Sequence, residues 1–215
     1  MIKLIIFDLD GTLIDSSVDI TNAINYAIGP YGGRPLTVKE TISIVGEGIT
    51  KLIERLIEMN GITADRDVVV DMFLKHYSDH LVDNSPAYPG VKETLQKLDD
   101  YKKAVISNKR EALSQKILDE LDLSQYLDLV VGSDTTPERK PSPVPVLHVL
   151  SKFGVRPEEA VIVGDSNFDI EAGKAAGIRT VAVTYGYRPL EMLKDADFKI
   201  DRMDKLPAVI GRISS

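Results

Sequence analysis

Short, almost wholly apolar runs punctuate the chain: Leu4-Ile5-Ile6-Phe7, Ala104-Val105-Ile106, Leu129-Val130-Val131, Val161-Ile162-Val163 and Thr180-Val181-Ala182-Val183. Runs of this length, β-branched and without polar alternation, are expected of parallel strands covered on both faces. Between them, apolar positions recur at helical spacing. Leu113, Ile117, Leu118 and Leu121 share one face of a predicted helix, and Ala172, Ala175 and Ala176 lead to a helix stop at Gly177. The alternation of strand and helix predicts an α/β fold, a doubly wound parallel sheet joined by right-handed crossovers.

The stretch from about Ser16 to about Pro86 breaks this alternation, with helical stripes and no strand pattern. Ile20, Ile24, Ala27 and Ile28 form one stripe, ended by Gly29-Pro30. Thr37-Val38-Lys39-Glu40 reads as a capping box that opens a second helix. Ile49, Leu52, Ile53, Leu56 and Ile57 form a third, stopped at Asn60-Gly61, and Val69, Met72, Phe73 and Tyr77 a fourth. The turn-rich run from Asp83 to Gly90 reads as the linker back. The predicted organisation is an α/β core of residues 1–15 and 87–215, with an all-helical subdomain of residues 16–86 inserted after the first strand.

Composition narrows the function classes. The 215 residues include 26 basic and 33 acidic side chains, a formal charge of −7, with 43% apolar and 27% charged residues, which is ordinary globular usage. An acidic chain lacks the basic field that a nucleic-acid backbone requires, and its scattered aromatics offer no stacking platform, so no nucleic-acid partner is expected. The apolar runs fall far short of the roughly 20 residues of a membrane helix, so no membrane partner is expected either. With no cysteine, disulfides, thiol catalysis and zinc–thiolate sites are excluded. Met1 leads directly into a strand-like run without a cleavable signal pattern, and cytoplasmic residence is expected.

The candidate chemistry lies at strand ends, the edge of an open α/β sheet where ligands bind. The first run continues into Asp8-Leu9-Asp10-Gly11-Thr12, two carboxylates followed by a turn in which Thr12 offers a hydroxyl and an N–H to an anion. The second continues into Ser107-Asn108-Lys109, where the hydroxyl and the amide could bond phosphate oxygens, although Ser-Asn alone more often caps a helix. After the third comes a loop ending in Lys140-Pro141-Ser142-Pro143, whose prolines hold Lys140 at a helix entrance, although a lysine before proline is also a common solvated charge. The fourth continues into Gly164-Asp165-Ser166-Asn167-Phe168-Asp169, where Asp165 could alternatively cap the helix that follows. Three hard-oxygen acids converging on one edge suit Mg2+ held by carboxylates, water and a substrate phosphate. A hydroxyl, a lysine and backbone amides around them suit a phosphoryl group. His76 and His80 stand four apart, but Tyr77-Ser78-Asp79 between them lacks the glutamate of a zinc-hydrolase motif, so a solvated helix face is expected.

These four motifs, in this order, resemble those of the haloacid dehalogenase superfamily of phosphohydrolases, and the helical insert resembles its C1-type cap. The resemblance implies a Mg2+-dependent phosphatase acting on a small phosphorylated metabolite. Asp8 would be the nucleophile that forms an aspartyl-phosphate, and Asp10 the general acid and base. Ser107 and Lys140 would hold the phosphoryl oxygens, which with Thr12 completes the expected catalytic set. Asp8, the Asp10 backbone carbonyl and Asp165 would bind Mg2+, with Asp169 supporting them. Asn108 is an expected substrate-binding residue. In the insert, Ile44-Val45-Gly46-Glu47-Gly48-Ile49 resembles the cap segment of phosphoglycolate phosphatases, which marks Gly46 and Gly48 as candidate substrate-binding positions or, equally, as a tight turn between helices. Glu47 departs from that pattern, since a small neutral residue sits more comfortably beside an anionic substrate. Lys51 is a weaker candidate for a substrate carboxylate. A C1-capped phosphomutase carries the same motifs. A receiver-like signalling module, which also uses sheet-edge acids, is about half this length and lacks the insert. Either a monomer or a homodimer is compatible with these stripes.

Overall fold

The computed structural model describes residues 1–214. Residues 1–15 and 87–214 form one compact unit and residues 16–86 a second.

The first unit is built on six parallel strands: β1 Leu4–Phe7, β2 Lys102–Ile106, β3 Leu129–Val131, β4 Ala160–Gly164, β5 Arg179–Val183 and β6 Phe198–Ile200, in the order β3-β2-β1-β4-β5-β6. The chain runs outward from β1 to β3, returns to place β4 on the other side of β1, then runs outward again to β6. The β1/β4 junction is therefore the switch point, where a crevice opens beyond the carboxyl ends of the strands. Register decides what stands there. Phe7 pairs with both Val105 and Val163, and β2 and β4 run only one residue beyond that level, so Asp8, Ser107 and Asp165 emerge at one edge.

Five of the strands follow the predicted runs. β6 does not: its three residues include exposed Lys199 and give no apolar run, so it is recognised only by its pairing with β5. Helices α5 Val91–Lys97, α6 Glu111–Glu120, α7 Val144–Phe153, α8 Asn167–Ala175 and α9 Leu206–Ser214 complete the unit. Leu4 and Ile6 of β1, Ala104 and Ile106 of β2 and Ile162 of β4 pack with Val146, Val149 and Leu150 of α7 and Ala172 of α8 into one buried cluster. Every residue of β1 is buried, which explains its uninterrupted apolar run.

The second unit holds α1 Ser17–Ile28, α2 Val38–Ile44, α3 Ile49–Asn60 and α4 Arg66–Asp79. The predicted stops and starts have clear causes. Thr37 Oγ1 accepts from the Glu40 N–H while the Glu40 carboxylate accepts from the Thr37 N–H, closing the capping box of α2. Gly61 ends α3 in the left-handed conformation, φ +60°. Ile24, Ile28, Ile53, Leu56, Val69, Phe73 and Tyr77 are buried, as the stripes require. Buried Asp19 in the first turn of α1 accepts from the Asn84 N–H and Nδ2 and from Ser85 Oγ, tying the returning segment to the start of the insert.

Candidate active site at the carboxyl edge of the sheet

Immediately after β1 the chain folds into a tight loop in which the Leu9 carbonyl accepts from the N–H groups of Thr12, Leu13 and Ile14. The Asp8 N–H still donates to the Val163 carbonyl, so Asp8 is the last residue held by the sheet. Gly11 turns the loop at φ +85°, and a Cβ there would lie 2.3 Å from Asp165 Oδ2. Only glycine lets the β1 loop approach the Asp165 carboxylate this closely. Thr12 is fully buried, its carbonyl accepts from Tyr185 Oη at 2.8 Å, and its own hydroxyl has no hydrogen-bond partner among the described residues.

Lys140 is the hub. Its ammonium, 3% exposed, donates to Asp8 Oδ1 at 2.7 Å, to Asp169 Oδ1 at 2.6 Å and to the Ile106 carbonyl at 2.6 Å. The lysine is therefore no solvated charge. Both oxygens of Asp169 are engaged: the second accepts from the Ser166 N–H and hydroxyl, which makes Ser166, not Asp165, the residue that opens α8. Asp165 accepts at Oδ2 from the Tyr187 N–H at 2.6 Å. Asp8 Oδ2 and Asp165 Oδ1 accept no hydrogen bond from any described residue.

Asp8, Asp165 and Asp169 are all buried, and each offers a carboxylate oxygen within 4.8 Å of the others. Three buried carboxylates face one buried ammonium, so the cluster is short of positive charge. Burial pushes the Asp8 carboxyl up to about 7, with Lys140 opposing and Asp169 adding to the shift. Burial, then the charges of Asp8 and Asp169, also hold Asp165 well above the usual carboxylate range. Burial works against the Lys140 ammonium, but Asp169 and Asp8 outweigh it and raise its pKa. The open oxygens, the charge deficit and the hard-oxygen ligands fit a divalent cation such as Mg2+, which Asp8 and Asp165 could hold while Asp169 positions Lys140.

At the end of β2, Ser107 is buried and its N–H donates to the Val131 carbonyl. It does not cap α6: that helix starts at Glu111, whose N–H is taken by Asp134 Oδ1. Asn108 Nδ2 donates to the Lys140 carbonyl at 2.9 Å and so fixes the backbone that carries the hub lysine. Three contributors had no role assigned from the sequence, Lys109 standing there only as the last residue of its motif. Lys109 Nζ bonds Asp10 Oδ1 at 2.6 Å. Tyr187 holds Asp165 through its backbone, and Gly186 makes room, since a Cβ on it would lie 2.3 Å from the Asp165 Cβ. The signal available for the last two was the glycine between aromatics, Tyr185-Gly186-Tyr187, just beyond the carboxyl end of β5.

In the second unit, Gly46 and Gly48 have φ +118° and +84° and form the turn between α2 and α3, with Gly48 preceding the first residue of α3. The Glu47 carboxylate between them accepts from Arg55 Nη2 and from Lys51 Nζ. Partial burial disfavours its charge, but Arg55 and Lys51 outweigh that and hold it below the usual carboxylate range. The His76 ring stacks on Tyr26 and lies tilted against His80, whose Nδ1 meets Asp83 Oδ2 at 2.8 Å, and neither histidine belongs to a group of three possible metal ligands among the described residues.

The family model for haloacid dehalogenase-like hydrolases matches residues 5–183. The phosphoglycolate phosphatase of Aquifex aeolicus is 42% identical over 206 residues, covering 95% of this chain and 94% of its own. That of Chromobacterium violaceum is 38% identical, covering 95% of each. The crystal structure of a predicted phosphoglycolate phosphatase from Haemophilus somnus 129PT superposes with a TM-score of 0.92 at 31% identity, covering 97% of this chain and 98% of that one. With its motifs gathered at one sheet edge and a helical unit inserted after the first of them, the chain belongs to the haloacid dehalogenase-like hydrolases, as a phosphatase.

Proposed function

We propose that the protein is a Mg2+-dependent, cytoplasmic phosphatase that hydrolyses small phosphomonoesters through an aspartyl-phosphate on Asp8, with phosphoglycolate as its substrate. One observation carries this reading: a buried nucleophile candidate, Asp8, shares the switch-point crevice with a buried lysine and two further buried carboxylates.

Asp8 attacks phosphorus through a carboxylate oxygen, while the ester oxygen leaves with a proton from Asp10. Water then attacks the phosphorus, Asp10 takes its proton, the bond to Asp8 breaks, and the starting state returns. Lys140 fixes the Asp8 carboxylate and places positive charge beside the transferring group, as Ser107 places a hydroxyl there. A bound Mg2+ supplies the neutralising charge that allows an anionic carboxylate to approach an anionic phosphate. Selection among esters belongs to the 16–86 unit, where Glu47 is neutralised by Arg55 and Lys51 and so leaves no unmatched negative charge in the glycine turn. The chain needs no nucleic-acid or membrane partner for this chemistry, whether monomer or homodimer, and none of its described helices is long and apolar enough to cross a membrane.

Two measurements test the reading. In a panel of phosphoglycolate, pyrophosphate, sugar phosphates and nucleotides, phosphate release should require Mg2+, stop with a chelator and be fastest for phosphoglycolate. Interconversion of sugar-phosphate isomers without phosphate release would point to a mutase instead. The raised carboxylates set a second expectation. Because Asp8 is raised to about 7, protons occupy the cluster at lower pH and must be displaced by the cation. Saturating Mg2+ should therefore raise the melting temperature more at about pH 8 than at about pH 5.5. An equal or opposite shift would exclude Asp8 as a ligand.

A further inference from the structure

The two acids of the first motif take their cations from different loops. Lys140 serves Asp8, whereas Lys109 serves Asp10, at 2.6 Å between Nζ and Oδ1. The Lys109 side chain is 8% exposed and that of Asp10 21%, so the pair is largely shielded from water. Lys109 is also pinned along its backbone: its N–H donates to Ser107 Oγ at 3.1 Å and its carbonyl accepts from the Ser133 N–H at 2.9 Å. A lysine fixed at both backbone groups and engaged at its tip in a short charge-assisted bond is a rigid strut between the β2 loop and the β1 loop.

We propose that Lys109 is the positioning residue for Asp10: by holding Oδ1 it fixes the plane of the carboxylate, and with it the direction in which Asp10 exchanges protons with the leaving oxygen and the attacking water. The proposal rests on the role given to Asp10 above. Without the strut Asp10 rotates, and both proton transfers lose alignment. The loss is greatest where no alternative exists: an aryl leaving group departs with little need of a proton, but breakdown of the phospho-enzyme needs water activated by Asp10.

The experiment is stopped-flow turnover of p-nitrophenyl phosphate with Mg2+ by the parent, Lys109→Met, Lys109→Arg and Asp8→Asn. Lys109→Met is expected to lower kcat about 10- to 100-fold without raising KM, and to show a burst of p-nitrophenolate of one per active site before the slow steady state. Lys109→Arg, which keeps a cation within reach of Asp10, should restore most of kcat and abolish the burst. Should Lys109→Met not fold, Lys109→Gln is read in the same way. An unchanged kcat, a raised KM with kcat intact, or a loss of rate without a burst would each overturn the proposal. The Asp8→Asn control separates the two levels: turnover retained there sinks the covalent reading itself, whereas an inactive Asp8→Asn beside a Lys109→Met without a burst sinks only the role of Lys109.

Discussion

Replacing Asp8 with asparagine is expected to lower kcat by at least about a thousandfold while leaving the fold intact. The amide has the same shape but no anionic oxygen with which to attack phosphorus. Stability should not suffer, because the native carboxylate already pays for its burial. Its carboxyl is raised to about 7 in the folded state, so its contribution to stability is present below the unfolded value and is lost as pH rises through the folded one. At about pH 8 without added cation, the neutral asparagine removes one buried charge, and its Oδ1 can still accept from Lys140. Melting temperature and phosphate release from the same samples test both halves. More than trace turnover, or a large fall in melting temperature, would contradict the assignment.

Replacing Lys140 with methionine should be the most damaging single change, because it strikes chemistry and stability together. The ammonium satisfies three oxygens at once, Asp8 Oδ1, Asp169 Oδ1 and the Ile106 carbonyl. Its removal leaves a buried cluster of carboxylates without the cation that holds them, and breaking such a buried pair costs about 3–5 kcal/mol. The deficit has a definite pH dependence. Without the lysine, whose charge opposes the rise, the carboxyl of Asp8 goes further above its unfolded value, so the folded state binds protons more readily than the unfolded one. Stability is then favoured at low pH and lost as pH rises through the folded value. Urea unfolding should show a larger deficit at about pH 8 than at about pH 5.5, and kcat should fall at least about a hundredfold. Arginine should not rescue, since its planar fork cannot reproduce three convergent bonds in a site only 3% exposed. A variant with parental stability at both pH values would contradict the hub role of Lys140.

The parts of this architecture legible in the sequence were those specified locally. An apolar run such as Leu4–Phe7 followed at once by Asp8 states both a buried strand and what stands at its end. The Thr37–Glu40 box and the Gly61 stop likewise involve only neighbours along the chain. What could not be read depends on tertiary pairing. The strand Phe198–Ile200 is too short and too polar at Lys199 to declare itself without β5 beside it. The Lys109–Asp10 bond joins residues 99 apart in sequence, and nothing around either residue marks the other. The Asn108 amide suits a substrate phosphate, but the sequence does not mark the Lys140 carbonyl, 32 residues further on, to which its Nδ2 donates. Tyr187 acts on Asp165 through a backbone N–H, a group every non-proline residue carries and no residue type announces.

The most direct test of Asp8 as the attacking group is chemical trapping during turnover. The enzyme is mixed with Mg2+ and substrate, quenched in acid within the first turnover and reduced with borohydride, which converts an aspartyl-phosphate to homoserine at the residue that carried it. Peptide mass mapping should find that conversion at Asp8, only with substrate present, and never in Asp8→Asn. Phosphate release with an unmodified Asp8, or conversion at a different carboxylate, would contradict the covalent route.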